Sequence, residues 1–209
     1  MEKLDLTKKY KSYYTAKTKP ALVEIEKAQF LSIKGKGDPA SDEFALRVQA
    51  LYATAYGIKF ICKAAQKDFV VAKLEGLWWF DEKKYKNVSI TDAPIKIPRS
   101  EWFYRLLIRL PDFIKQEYIQ TTKQHVITEK ELPLAKEIEL FTMQEGCCVQ
   151  MLHVGAFDKE PETLLQMQTF MQLNNLKQNG LHHEIYLSDF RKTAPHKLKT
   201  ILREPVKGY

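Results

Sequence analysis

Apolar positions along the chain alternate, then recur at helical spacing, then alternate again, and this order occurs twice. Residues 1–20 show no clear apolar period and end in "KTKP", which reads as an arm leading into the fold. "ALVEIEKAQFLSIKGKGDP" predicts an extended strand closing on a turn, where Gly35 and Gly37 supply backbone angles that other residues resist. Ser41 then stands as an N-cap before acidic residues, and Phe44, Val48, Leu51, Tyr52 and Ala55 recur at helical spacing through "SDEFALRVQALYATAYGIKFICKAA". "FVVAKLEGLWWF" predicts a strand, and after a polar insert "EWFYRLLIRLPD" predicts another, stopped at Pro111.

The second half repeats the order. "IELFTMQEGCCVQMLHVGAFDKEP" is extended and closes near Gly155, and "EPETLLQMQTFMQLNNLKQNG" is a helix with Pro161 at its start and Gly180 as its stop. "HHEIYLSD" and "TILREPV" are strands, and "LREP" at Leu202 to Pro205 resembles "IRLP" at Ile108 to Pro111. Between the halves, "DFIKQEYIQTTKQHVITEKEL" predicts an amphipathic connecting helix. Each half would bury little alone, so the expected fold is one α+β domain: two strand-helix-strand-strand modules, duplicated and related by a pseudo-twofold, around a central ligand groove. Its parts are an arm (1–20), a first half (21–112), a connecting helix (113–137) and a second half (138–209).

Composition narrows the class. At 209 residues and 44% hydrophobic content the chain can build one large core, since single cores run to about 250 residues. The net charge of +7 raises the question of nucleic acid, but the lysines are spread along the chain rather than gathered in a patch or motif. No specific nucleic-acid partner is expected. Cys62, Cys147 and Cys148 are odd in number and include a vicinal pair, which reads as reduced thiols in a cytoplasm. No stretch has the roughly 18 apolar residues of a membrane span or the apolar run of a leader, so no membrane partner is expected.

Candidate chemistry sits in "HHEIYLSDF", His182 to Phe190. In a strand Ile185 and Leu187 share one face while Glu184, Tyr186 and Ser188 share the other, which is either a solvated outer face or the wall of a groove. If the halves are related, "FVVAKLEGLWWF" occupies the equivalent strand and brings Glu75 to the same cleft as Glu184, against Trp78 and Trp79. Only one of two adjacent tryptophans can face a cleft in a regular strand, unless Gly76 marks a bulge. A partly desolvated glutamate can attract a cationic ligand or serve as general base toward water, and Tyr186 can orient that water or donate to an oxygen gaining charge. His182 and His183 point to opposite sides of a strand and cannot jointly hold a metal; no metal site and no cofactor are expected.

Several blocks in order, "FLSIKGKGDP", "LYATAYGIKF", "KLEGLWW", "EGCCVQMLHVG", "HHEIYLSD" and "APHKLKTILREPV", resemble the GyrI-like small-molecule-binding family nearly end to end, in its stand-alone branch without a DNA-binding domain. The resemblance implies two modules forming a ligand groove like that of the effector-binding domains of multidrug-responsive regulators. It implies lipophilic planar or cationic small molecules as ligands, and a cytoplasmic, cofactor-independent hydrolase that detoxifies cyclopropane-bearing cyclohexadienones of the DNA-alkylating type by water attack. The alternatives it leaves are a non-catalytic binder or sensor of such drugs and a contact with DNA gyrase, the last implied by the family name alone. It carries the groove glutamate onto Glu184 and its tyrosine onto Tyr186 as catalytic residues. Trp78 and Trp79 become the aromatic wall, and Glu75, Phe157 and Tyr52 further ligand contacts. The chain departs from the family pattern at Ala156, Phe157 and Phe190, where proline, tyrosine and proline are expected.

Overall fold

The computed structural model describes residues 3–89 and 91–208; the first two residues of the arm, Ile90 of the polar insert and the C-terminal Tyr209 lie outside the described residues. In chain order the elements are α1 (Leu6–Lys9), β1 (Ala21–Ile25), β2 (Ala28–Lys36), α2 (Asp42–Ala64), β3 (Leu74–Trp79), α3 (Ala93–Lys96), β4 (Phe103–Leu110), α4 (Gln116–Glu129), β5 (Glu139–Met143), β6 (Gly146–Val154), α5 (Glu160–Leu173), β7 (Leu176–Gln178), β8 (His182–Tyr186) and β9 (Lys199–Gly208). The fold is α+β, and every pairing between strands is antiparallel, in the order β1-β6-β9-β8-β3-β4-β2-β5 with β7 beside β9. In chain order the first half runs β2–α2–β3–α3–β4 and the second runs β6–α5–β7–β8–β9.

Two predicted long strands are each broken. "ALVEIEKAQFLSIKGK" divides at Glu26–Lys27 into β1 and β2, and "ELFTMQEGCCVQMLHV" divides at Gln144–Glu145 into β5 and β6. The break reroutes the chain: β1 pairs with β6, β5 pairs with β2, and these pairs stand at opposite ends of the strand order. A two-residue link spans at most roughly 11 Å. The two ends of the sheet must therefore approach one another, and the sheet curls around an interior of Phe30, Leu77, Leu107, Cys148, Ile185 and Ile201. Hydrophobic alternation cannot announce such a break, because both pieces keep the same period.

The arm plugs that interior. Leu6, Tyr13 and Tyr14 are buried within it, so residues that show no apolar period are nevertheless core. On the other surface of the sheet α2 and α4 cover β2, β3 and β4, burying Leu31, Ile33, Leu51, Ile58, Leu106 and Ile108. α5 covers β6 and β9 through Leu164 and Met167 against Val149, Met151 and Leu202. Ser41 caps α2 as expected, its Oγ accepting from the Phe44 N–H at 3.2 Å. Two expectations are corrected at helix ends. α5 stops at Leu173 rather than at Gly180, because Asn175 takes a positive φ of 51° and the next three residues pair with β9 as β7. The connecting helix is shorter than expected, running from Gln116 to Glu129. No helix among the described residues is long and apolar enough to cross a membrane.

Candidate active site

α2 and α5 leave the middle of the sheet uncovered, and a cavity of about 750 Å³ lies there. That is within the range of small-molecule sites, roughly 300–1,000 Å³. Its floor is the β3–β8 pair, whose register sets Gly76 opposite Glu184 and Trp78 opposite His182. Partners across a ladder share a face, so His182, Glu184 and Tyr186 rise beside Trp78. Phe44 of α2 and Glu160 and Leu164 of α5 form two sides, and the segment joining β3 to β4 contributes Phe80, Tyr85, Arg99 and Trp102 as a roof.

Tyr186 is the centre of a fixed polar group. Its hydroxyl accepts a hydrogen bond from Trp78 Nε1 at 3.1 Å and lies within hydrogen-bonding reach of the Glu184 carboxylate. Burial, then the charge of Glu184, pushes the phenol well above its ordinary value, so Tyr186 stays a neutral donor. Glu184 also meets His182, whose Nε2 lies 3.3 Å from Oε1, while His182 Nδ1 bonds Glu204 on β9. Burial alone would lower the His182 value; the Glu204 charge and the hydrogen bonds to Glu184 and Glu204 more than offset it and raise it well above the usual imidazole range. His182 is thus an imidazolium donating to two carboxylates, which holds Glu184 in one orientation at the cavity floor.

Both tryptophans line the cavity. Trp78 stacks on Phe44 with ring centroids 6.1 Å apart, and Trp79, at the end of β3, stacks on Phe103 at 5.9 Å. No bulge is needed, because β3 pairs with β4 without interruption from Leu74 to Trp79. Gly76 serves differently. A Cβ there would lie 2.8 Å from Trp78 Nε1 and 3.1 Å from the Tyr186 hydroxyl, so the missing side chain is what lets the indole reach the phenol. Gly76→Ala should separate the pair and cost about 1–3 kcal/mol, the usual scale of overpacking. Urea melts with a tryptophan-fluorescence readout check this; an unchanged midpoint and spectrum would show that the Trp78–Tyr186 contact is not constrained there.

Phe157 lines the cavity and meets Tyr186 edge-to-face at 6.0 Å and Phe190 at 6.3 Å, so Phe157 and Phe190 add apolar wall beside the phenol. Two expected contacts are corrected. Glu75 projects from the opposite face of β3, since it is one residue out of step with Gly76 and Trp78. There it is fully buried and bonded by Tyr13 at 2.5 Å, Tyr14 at 3.3 Å and His183 at 3.0 Å, away from the cavity. Tyr52 lines a separate cavity of about 90 Å³ with Val48, Lys73 and Arg191, touching the site only through the shared Tyr186 and Phe190. Sequence reasoning missed Glu160, His182 and Glu204. Glu160 looks like an ordinary acidic first-turn residue before Pro161, and a histidine next to another histidine carries no period; the alternation that separates His182 from His183 was the available signal.

A sheet carrying an aromatic cavity with an oriented carboxylate and phenol on its floor defines a small-molecule-binding protein. The chain belongs to the GyrI-like family: the model of the GyrI-like small molecule binding domain matches residues 18–207. Among solved structures, two crystal structures of a hydrolase from Listeria innocua are 37% and 36% identical to it. They match 98% and 99% of this chain and all of theirs, with TM-scores of 0.84 and 0.85. The C-terminal domain of EcmrR, 13% identical with a TM-score of 0.59 over 91% of this chain and 98% of that one, shares the fold. A comparison with curated protein sequences finds no match.

Proposed function

We propose that the protein is a cofactor-independent cytoplasmic hydrolase that detoxifies planar lipophilic electrophiles, opening the spiro-joined cyclopropane of a cyclopropane-bearing cyclohexadienone by water attack. The observation that carries this reading is the pairing of Glu184 with Tyr186 on the floor of an aromatic cavity. The likeness to a Listeria hydrolase supports it. In this mechanism the planar compound stacks among Trp78, Trp79 and Phe157, and Glu184 takes a proton from a water molecule whose oxygen bonds to a cyclopropane carbon. The strained C–C bond breaks, its electron pair enters the ring, and the dienone oxygen becomes a phenolate oxygen that takes up a proton to give the phenol. Aromatisation supplies the driving force, so the site has only to position water and stabilise modest charge. Tyr186, a neutral donor beside Glu184, orients the water.

The test is incubation of the pure protein with the parent spirocyclopropyl cyclohexadienone, following conversion to the hydroxyethyl phenol by mass spectrometry against a protein-free control. Product formed at the background rate, with the dienone bound, would remove the hydrolase and leave a binder of lipophilic compounds.

A further inference from the structure

Glu160 differs from every other carboxylate described above. It is 8% exposed, it opens α5, and it lines the cavity that holds Glu184, yet its Oε1 is sealed from solvent with no hydrogen-bond partner among the described residues. Glu184 and Glu204 each have the His182 imidazolium, whereas nothing donates to this oxygen. A buried carboxylate without a donor is strongly disfavoured, and such a group takes up a proton instead.

The charges around it agree. Burial and then the negative charge of Glu184 push Glu160 well above the ordinary carboxylate range, against the opposing charges of His182 on β8 and Arg99 from the segment before β4. Glu82 and Lys86 of the segment between β3 and β4 also line the cavity, and both are exposed to solvent. At the start of its helix, Lys159, the residue before α5, and Glu162 face solvent and lie 3.9 Å apart. The helix N-terminus favours the anion, but only to the modest extent of a macrodipole interaction. A neutral carboxyl with Oε1 closed off leaves Oε2 to carry the proton toward the cavity.

We propose that Glu160 is the proton donor of this site, hydrogen-bonding the carbonyl oxygen of the bound compound and protonating it as water adds beside Glu184. This rests on the hydrolytic reading given above. Two carboxyl groups in one cavity, one neutral and one paired with a cation, are the arrangement by which enzymes obtain an acid and a base from the same residue type. The step balances. Glu184 gains the proton that water loses, the water oxygen bonds to the cyclopropane carbon, and the broken C–C pair restores the aromatic ring. The carbonyl oxygen takes the Glu160 proton and becomes the phenol hydroxyl. The products are the hydroxyethyl phenol, a protonated Glu184 and an ionised Glu160, and proton exchange with solvent resets the pair.

The deciding measurement is an infrared difference spectrum of wild type against Glu160→Gln near neutral pH, alone and with the hydroxyethyl phenol bound to saturation as judged by quenching of tryptophan fluorescence. A carboxylic-acid C=O band present in wild type, absent from Glu160→Gln and displaced when the phenol binds is the expected result. Absence of the band, or a band that the bound phenol leaves unmoved, overturns the assignment. Kinetically, Glu160→Gln should lower kcat for the parent spirocyclopropyl cyclohexadienone about a hundredfold with KM within a few-fold, and should abolish the alkaline fall of the pH profile. An unchanged kcat and alkaline limb would equally overturn it. If wild type shows no turnover, the hydrolase reading falls while the infrared band still decides whether Glu160 is the donor.

Discussion

Glu184→Gln is expected to slow single-turnover hydrolysis of the parent spirocyclopropyl cyclohexadienone by about a hundredfold or more, the usual scale of general-base assistance. The substitution keeps the shape of the side chain and an oxygen that can accept from His182 Nε2, now 3.3 Å away. His182 retains Glu204 as its other partner, so the floor of the cavity should hold its arrangement. Affinity for the neutral dienone should therefore change little, while a planar cationic ligand should bind more weakly because the counter-charge is gone. Tyr186→Phe should do less harm, since it removes an orienting hydroxyl and frees the Trp78 N–H without taking away the base. Two titrations and one rate measurement separate these effects. A rate that survives Glu184→Gln unchanged would remove this residue from the chemistry.

The parts of this site that could be read from the sequence are those that obey a local period. Alternation along "HHEIYLSD" correctly placed Glu184 and Tyr186 on one face, with His182 and His183 on opposite faces. Helical spacing found α2, its cap and Phe44 as a buried member. What failed depended on which strand lies beside which. Glu75 was assigned to the cavity from the supposed equivalence of two strands, but equivalence does not fix register, and a one-residue offset moves a side chain through the sheet. The N-terminal arm shows the same limit. Tyr13 and Tyr14 carry no periodic signal, because what buries them is a sheet closed by strands more than a hundred residues away. Glu160 was invisible for a third reason: its helix start predicts an exposed acid, and only the cavity shows that the position is buried.

The interior beneath the arm should dominate the stability of the molecule, and His183→Leu is its sharpest test. His183 is fully buried between Glu75 at 3.0 Å and Glu145 at 3.0 Å, and Arg203 reaches Glu145 at 3.2 Å and the Tyr13 carbonyl at 2.8 Å. Removing the imidazole leaves two buried carboxylates short of a cation, which costs about 3–5 kcal/mol when one partner of a buried pair is deleted. For a domain of this size that is a fall in Tm of roughly 10 °C. The arm should loosen with it, since Tyr13 and Tyr14 are tied to Glu75. The pH dependence supplies an independent check. Burial lowers His183, but Glu145 and Glu75 outweigh it and raise the folded value above the usual 6.5; its contribution is whole below that pH and fades as pH rises through the folded value. Burial would raise Glu145, yet His183 and Arg203 hold it at about 2 against a usual 4.5, so its contribution is whole above that usual value and is lost as pH falls toward 2. Wild type should be most stable between these limits. In His183→Leu the acid limb should flatten, because Glu145 loses its foremost cation, its folded value returns toward the ordinary range and less stability remains to be lost there. Thermal melts across pH 3 to 8 give both quantities at once, with the limits set by the usual carboxylate and imidazole values of about 4 and 6.5. A variant that melts within about 2 °C of wild type and keeps its acid limb would mean that His183 contributes no net stabilisation to the buried network.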